Sequence, residues 1–293
     1  MNKKPINKIL QEQYKLLEDK ETRIRKQFAS IRTAKTAKLR DIALSLYHDC
    51  MNGDKLDYSK LFRKISKQKA YELKYKTDMM RTKTDTVSFP FSVTRFDQLN
   101  RLEASKAEII INELEQANEL NSLFMLYLID HFYTTMTDIA KAINVVVNDD
   151  RKNAEKKVDN KSYPIKISFE EQHYNTASKT AQMLQQCITR GDDAEKAVSL
   201  ITEYATKRDK NADNRLIYTE DTRATCDAVF EVVEPYIEAF MTVGVHDGKQ
   251  CEICKGIEKE QSINPVPVKQ YEPGITAPPF HPYCRCGIEV IWL

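Results

Sequence analysis

The sequence predicts a mainly α protein, with long charged helices in its N-terminal half, shorter helices after them and a small α+β segment at the end. Three observations carry this. Apolar residues recur at three- and four-residue steps over long stretches. Charged residues make up 30% of the chain while glycine occurs only 7 times, a composition that suits helices better than turns. The last forty-odd residues, rich in cysteine and proline, depart in composition from everything before them.

At 293 residues the chain has material for two domains, or for one domain with a long extension. The formal net charge of +2 conceals a polarity: residues 1–83 hold 22 Lys and Arg against 10 Asp and Glu, leaving a net −10 on the rest. Residues 4–50 read as one helix. Ile6, Ile9, Leu10, Tyr14, Leu17, Ile24, Phe28 and Ile31 form a narrow stripe that Leu39, Ile42, Ala43, Leu46 and Tyr47 continue. A seam of this width between charged faces fits an interhelical contact rather than a membrane surface.

Asn52-Gly53-Asp54 breaks the run, and Tyr58–Lys83 reads as a second helix with Leu61, Phe62, Ile65, Tyr71 and Leu73 as its apolar positions. Thr84–Arg95 reads as an extended connection or short edge strand, because Val87, Phe89, Phe91 and Val93 surround Pro90. Helix resumes near Asp97 and runs to about Val147. Its most apolar run, Leu123–Ile129, is far short of the roughly 20 residues a bilayer needs, so no membrane span is expected. Asp130 and His131 are neighbours that point about 100° apart on a helix and make no acid–base dyad.

Asn148–Lys161 is polar throughout and reads as an exposed linker. This divides the chain into an extended, basic helical region over 1–155 and a second domain over 156–293. Helices are expected at 168–188, 192–207 and 212–234, with Gly191 closing the first and Asp192 capping the second, Glu195 completing a capping box. Pro235 ends the third, and Tyr236–Val245 reads as a strand.

Four of the seven cysteines lie in the final module, about 244–293, and one of the five histidines, His281, stands among them within Cys251–Cys286. Cys251 and Cys254 are spaced to turn both thiolates toward one point, His281 and Cys284 repeat the interval, and Cys286 is a fifth donor. Two such knuckles meeting across the intervening loop would close a tetrahedral zinc site from four of these five residues. Gly256 and Gly287 are read as allowing the tight turns. Two disulfides, or buried thiols with no metal, are the competing readings. The N-terminal Met1-Asn-Lys-Lys-Pro runs into a charged helix with no apolar core segment, so reduced thiols are expected. A catalytic metal would leave a position for water beside an acid or base, and Asp247, Glu252 and Glu258 have no spacing that singles one out. The fold class is therefore mainly α, with a zinc-stapled α+β end.

Two further features bear on function. Arg215, Thr219 and Arg223 share one helix face with Glu220 in reach of Arg223, and they suit a brace to the following strand and cysteine loop, or else an anion. The stretch Arg23, Arg25, Lys26, Arg32, Lys35, Lys38 and Arg40 would neutralise nucleic acid phosphate, or simply be a solvated face.

The order of these features resembles one family. A helix with Arg215, Thr219, Glu220 and Arg223 is followed by Gly244, Asp247, Cys251, Cys254 and Gly256. Then Pro278-Pro279-Phe280-His281-Pro282-Tyr283-Cys284-Arg285-Cys286 stands near the C-terminus. The pattern is similar to that of the phage head-morphogenesis family, the minor head proteins of tailed phages, and covers roughly 165–293. His246 departs from it and stands as an alternative ligand. The resemblance implies a virion component with no catalytic residues rather than an enzyme. It would lie inside the head near the portal, assemble in the host cytoplasm, and act in head assembly, DNA packaging or genome delivery. Its implied partners are the portal protein and inner capsid or scaffold proteins, with packaged DNA touching the basic N-terminal arm. A zinc-knuckle nucleic-acid-binding protein and a zinc-dependent nuclease or hydrolase are the alternatives.

Overall fold

The computed structural model describes residues 4–53, 55–83, 96–147, 151–160, 165–244 and 250–293, with side chains from Lys20 onward, Asn160 excepted. The expectations placed on Thr84–Arg95, His246 and Asp247 lie outside the described residues. In chain order come α1 (Lys4–Cys50), β1 (Met51–Asn52), β2 (Lys55–Leu56), α2 (Tyr58–Leu61), α3 (Lys67–Arg81) and a 3-10 turn at Phe96–Gln98. Next are α4 (Arg101–Ile143), α5 (Arg151–Asn160), α6 (Ile165–Arg190) and α7 (Ala194–Val233). After a 3-10 turn follow β3 (Ile237–Val243), α8 (Glu252–Ile263), β4 (Val266–Pro267) and β5 (Gly287–Trp292). The protein is mainly helical, as its apolar periodicity requires. No helix among the described residues is long and apolar enough to cross a membrane.

The chain packs as two compact units: a helical unit of residues 27–122 and 164–213, and a sheet unit of residues 1–26, 123–163 and 214–293. Their boundaries fall inside α1, α4 and α7. The units thus do not follow the expected division near residue 155, because the first 155 residues contribute to both.

In the helical unit one apolar cluster joins Leu39, Ala43, Leu46, Tyr47 and Cys50 of α1 to Leu73 and Met80 of α3 and to Leu102, Ile109, Ile110 and Leu114 of α4. Ala177, Ala181 and Leu184 of α6 and Ala197, Ile201 and Ala205 of α7 complete it. Truncating one of its large aliphatic side chains to Ala would cost about 2–5 kcal/mol. In the sheet unit three antiparallel strands lie in the order β4-β3-β5, with Phe240 opposite Val290 and Val243 opposite Gly287. Phe230 of α7 stacks on Tyr271 at 3.8 Å between centroids, and Phe240 of β3 meets both rings edge-on.

Local chemistry explains the ends and the departures. α4 begins at a reciprocal capping box: Asn100 Oδ1 accepts from the Glu103 amide and Glu103 Oε2 from the Asn100 amide, both at 2.9 Å. α6 ends in a Schellman turn, with the Asp192 amide on the Cys187 carbonyl, the Gly191 amide on the Ile188 carbonyl and Gly191 at φ +73°. The cap of α7 falls one residue later than expected, on Asp193, whose Oδ1 accepts from the Lys196 amide at 2.8 Å; Asp192 instead pairs with Arg190 and Lys196. The helix expected over Tyr58–Lys83 is two, because Asp57 caps α2 and Ser66 starts α3 afresh by accepting from the Lys69 amide.

Two larger corrections concern the linker and α7. Residues 151–160, expected within an exposed loop, form α5, since Ala154 and Val158 stand four apart and are fully buried. Lys157 pairs with Glu231 at 2.8 Å and Arg151 with Asp130 at 3.1 Å. The helices expected at 192–207 and 212–234 are one continuous helix of 40 residues. The polar stretch between them holds no glycine or proline, and its Asp209 and Asp213 are buried rather than solvated.

Candidate metal centre

The cysteine module is assembled by α7, α8 and the segment before β5. Cys251 is the N-cap of α8, its sulfur 3.5 Å from the Cys254 amide, so the Cys-x-x-Cys pair straddles a helix start rather than lying in a loop. The amides at that end favour a thiolate. The turn from His281 to Cys284 is closed by the Cys284 amide on the His281 carbonyl at 3.0 Å. The residue with left-handed backbone there is Tyr283, at φ +64°. Gly256 lies inside α8 and Gly287 opens β5, so neither makes the turn assigned to it from the sequence.

The five predicted donors fall into two groups that share Cys254. His281 Nε2 stands 3.1 Å from the sulfurs of both Cys251 and Cys254, and Cys254 Sγ lies 3.8 Å from Cys284 Sγ. The donor atoms of Cys251, Cys254 and His281 lie within 4.8 Å of one another, as do those of Cys254, Cys284 and Cys286; these clusters could hold a metal ion. Among the described residues no disulfide joins any cysteine. For a tetrahedral ion with sulfur at about 2.3 Å and nitrogen at about 2.0 Å, sulfurs should stand about 3.8 Å apart and sulfur and nitrogen about 3.5 Å. The sulfur pair matches that edge, and the imidazole contacts need about 0.4 Å of opening. His281 Nδ1 stands 2.7 Å from the Pro282 carbonyl, a partner that fixes its proton there and leaves the Nε2 lone pair for a ligand role.

Crowding pulls the thiols apart in acidity. A hydrogen bond from Cys286 lowers Cys284 to about 5, whereas burial pushes Cys254 up to about 12. Hydrogen bonding to Cys284 and burial raise Cys286 as well, while the Cys254 amide lowers Cys251. Ionising all of these thiols together would take a cation beside them, so the donor set is of a kind that could hold a metal ion.

α7 supports the cluster along one stripe. Thr219 Oγ1 accepts from the Tyr283 amide at 3.1 Å, Thr222 Oγ1 donates to the Cys284 carbonyl at 2.7 Å, and Cys226 Sγ approaches the Cys286 carbonyl at 3.9 Å. The brace expected of Thr219 is therefore present. Thr222 and Cys226 were missed, although their steps of three and seven from Thr219 signal a shared face. Arg223 pairs with Glu220 at 3.2 Å. From α8, Gln261 accepts from the Thr242 amide and donates to the Thr276 carbonyl, tying helix, strand and loop together. Of the candidate carboxylates, Glu252 pairs with Lys255 and Glu258 accepts from Gln250.

Asp130 and His131 do not act together. Asp130 pairs with Arg151, whereas buried His131 sits with Nε2 2.8 Å from Thr225 Oγ1; burial and Lys20 lower its pKa to about 3.

A second polar centre, which the sequence reading missed, lies in the helical unit. Lys35 Nζ donates to Glu113 and to Asp209, and Arg32 Nη1 to Asp213 at 2.5 Å. His173 lies among the three carboxylates, Nδ1 3.4 Å from Glu113 and Nε2 3.5 Å from Asp213. All six side chains are buried. Burial alone would lower the His173 pKa, but Asp213, Glu113 and Asp209 outweigh it and raise it to about 9. Protonated His173 with Arg32 and Lys35 balances three carboxylates. Glu113, His173 and Asp209 are of metal-binding type and close enough together, yet the Lys35 ammonium already bonds both acids. Arg32 and Lys35 are thereby removed from the set expected to face nucleic acid, while Arg23, Lys26, Lys38 and Arg40 are exposed.

Comparison with protein-family models, curated proteins and solved structures finds no match to this chain.

Proposed function

We propose that the chain is a non-enzymatic assembly protein, a minor head protein of a tailed phage, whose C-terminal module is closed by one structural zinc. The observation that carries this is the convergence of the five donors beside the α7 brace, in the order that the family resemblance rests on. Cys251, Cys254, His281 and Cys284 are the proposed ligands. Cys286, hydrogen-bonded to Cys284, is the outer partner. Bound zinc supplies the positive charge that lets these thiols ionise together. Cys251 then anchors the start of α8, His281 and Cys284 anchor the turn before β5, and Thr222 holds that turn on α7.

Five donors for four positions favour a closed structural site over a catalytic one, which keeps a position open for water. The protein would sit inside the head near the portal, reached from the host cytoplasm during assembly, with the portal and inner capsid or scaffold proteins as partners. Exposed cations of α1 are available to packaged DNA. The test is co-expression with the portal protein of the same phage, followed by affinity capture and quantitative mass spectrometry of purified particles. A few copies per particle and co-elution with the portal are expected; absence from both would overturn the assignment. Chelator-sensitive cleavage of DNA or peptide would overturn the non-enzymatic role.

A further inference from the structure

We propose that the outward face of α3 binds single-stranded nucleic acid. α3 buries Ala70, Leu73, Thr77 and Met80 on one side. At 100° per residue the opposite side carries Tyr71, Tyr75 and Met79, which are 71%, 59% and 42% exposed. Tyr71 and Tyr75 stand one helical turn apart on this exposed face, with Met79 a turn further on. Among the described residues neither hydroxyl makes a hydrogen bond, so both rings are presented whole.

The flanks point to the ligand. Lys67, Lys74 and Arg81 recur at seven-residue steps along one edge of the tyrosine ridge, and Lys76 stands on the other. From Tyr58 to Lys83 the chain carries nine Lys and Arg against Glu72 and Asp78 as the α3 acids. Among the described residues no ion pair engages Lys67, Lys74 or Lys76, in contrast to Lys69, which pairs with Glu108. Planar rings set about 6 Å apart along the helix axis, with cations beside them, match a stretched single strand: bases stack on the rings and phosphates follow the lysine edge. A duplex hides its base faces and would use only the lysines. An anionic bilayer would be met by aliphatic side chains rather than tyrosine hydroxyls and two acids. This inference stands independently of the capsid role and of the metal.

The experiment is fluorescence anisotropy of the full chain with a labelled 20-residue oligothymidylate, a duplex of equal length, phosphatidylglycerol vesicles and polyglutamate. Expected are binding of the single strand in preference to the other three, a loss of about tenfold or more in Tyr71→Ala/Tyr75→Ala, and near-normal binding in Tyr71→Phe/Tyr75→Phe, which keeps the rings. Lys67→Gln/Lys74→Gln should lower the salt slope by about 1.4, two single-strand phosphates' worth. Circular dichroism checks that these exposed changes leave the helices intact. Unaltered affinity in the alanine variant, equal or tighter binding to duplex, vesicles or polyglutamate, or no binding at all would each overturn the proposal.

Discussion

The two polar centres bury ionisable groups in opposite ways. The cysteine cluster of the sheet unit gathers four thiols and an imidazole in two donor groups that share Cys254, and ionising them together would take an outside cation. The charge cluster of the helical unit brings its own cations, Arg32, Lys35 and protonated His173, against Glu113, Asp209 and Asp213. Their sequence separations differ as sharply: Cys251 and His281 are 30 residues apart, Arg32 and Asp213 181. The proposed metal centre can be built from a short segment with strict spacing. One that depends on mutual pairing must be assembled by the helices of the whole unit.

Breaking each centre should therefore have different consequences. The largest effect is expected from Cys254→Ser, which removes the sulfur common to both donor groups. Structural zinc is worth about 10–16 kcal/mol in small modules, so this variant should lose its metal and leave the C-terminal module open to proteolysis while the helical unit keeps its helicity. Elemental analysis and limited proteolysis check it. Cys286→Ser should keep one metal per chain.

Lys35→Met comes next. It leaves Glu113 and Asp209 buried without their shared cation and should cost about 3–5 kcal/mol, read as a lower urea midpoint, with metal content unchanged. The third effect is one of pH. His173 is raised from its ordinary 6.5 to about 9, so its contribution is whole below about pH 6.5 and is lost as the pH climbs through about 9. Urea titrations from pH 6 to 9.5 should show a decline on the order of 3 kcal/mol that a His173→Gln variant lacks. The smallest expected change is Thr222→Val, which gives up the bond to the Cys284 carbonyl and should cost about 1 kcal/mol, lowering the melting point of the module slightly without releasing the ion.

The same contrast explains what could be read from the residues alone. The two knuckles and Thr219 were legible because ligand chemistry forces short, fixed intervals. The helices were legible from their apolar steps. The charge cluster was not, because Arg32 and Lys35 look like part of a basic stripe and Asp209 and Asp213 like a polar break between helices. A signal was nonetheless present. Phe28, Arg32, Lys35 and Leu39 continue one buried seam, as do Ile201, Ala205, Asp209 and Asp213, so charges stood where the period demanded apolar residues. Buried Ala154 and Val158 of α5 were likewise masked by the lysines and acids around them. The helix beginning at Glu252 was hidden because Cys251, a residue seldom read as a cap, starts it.

The claim most open to direct test is that one ion gathers the cysteine module. X-ray absorption at the zinc edge, combined with elemental analysis of the purified chain, should give one zinc per molecule bound by three sulfurs and one nitrogen. A chain free of metal whose module is still ordered and resistant to protease would contradict it.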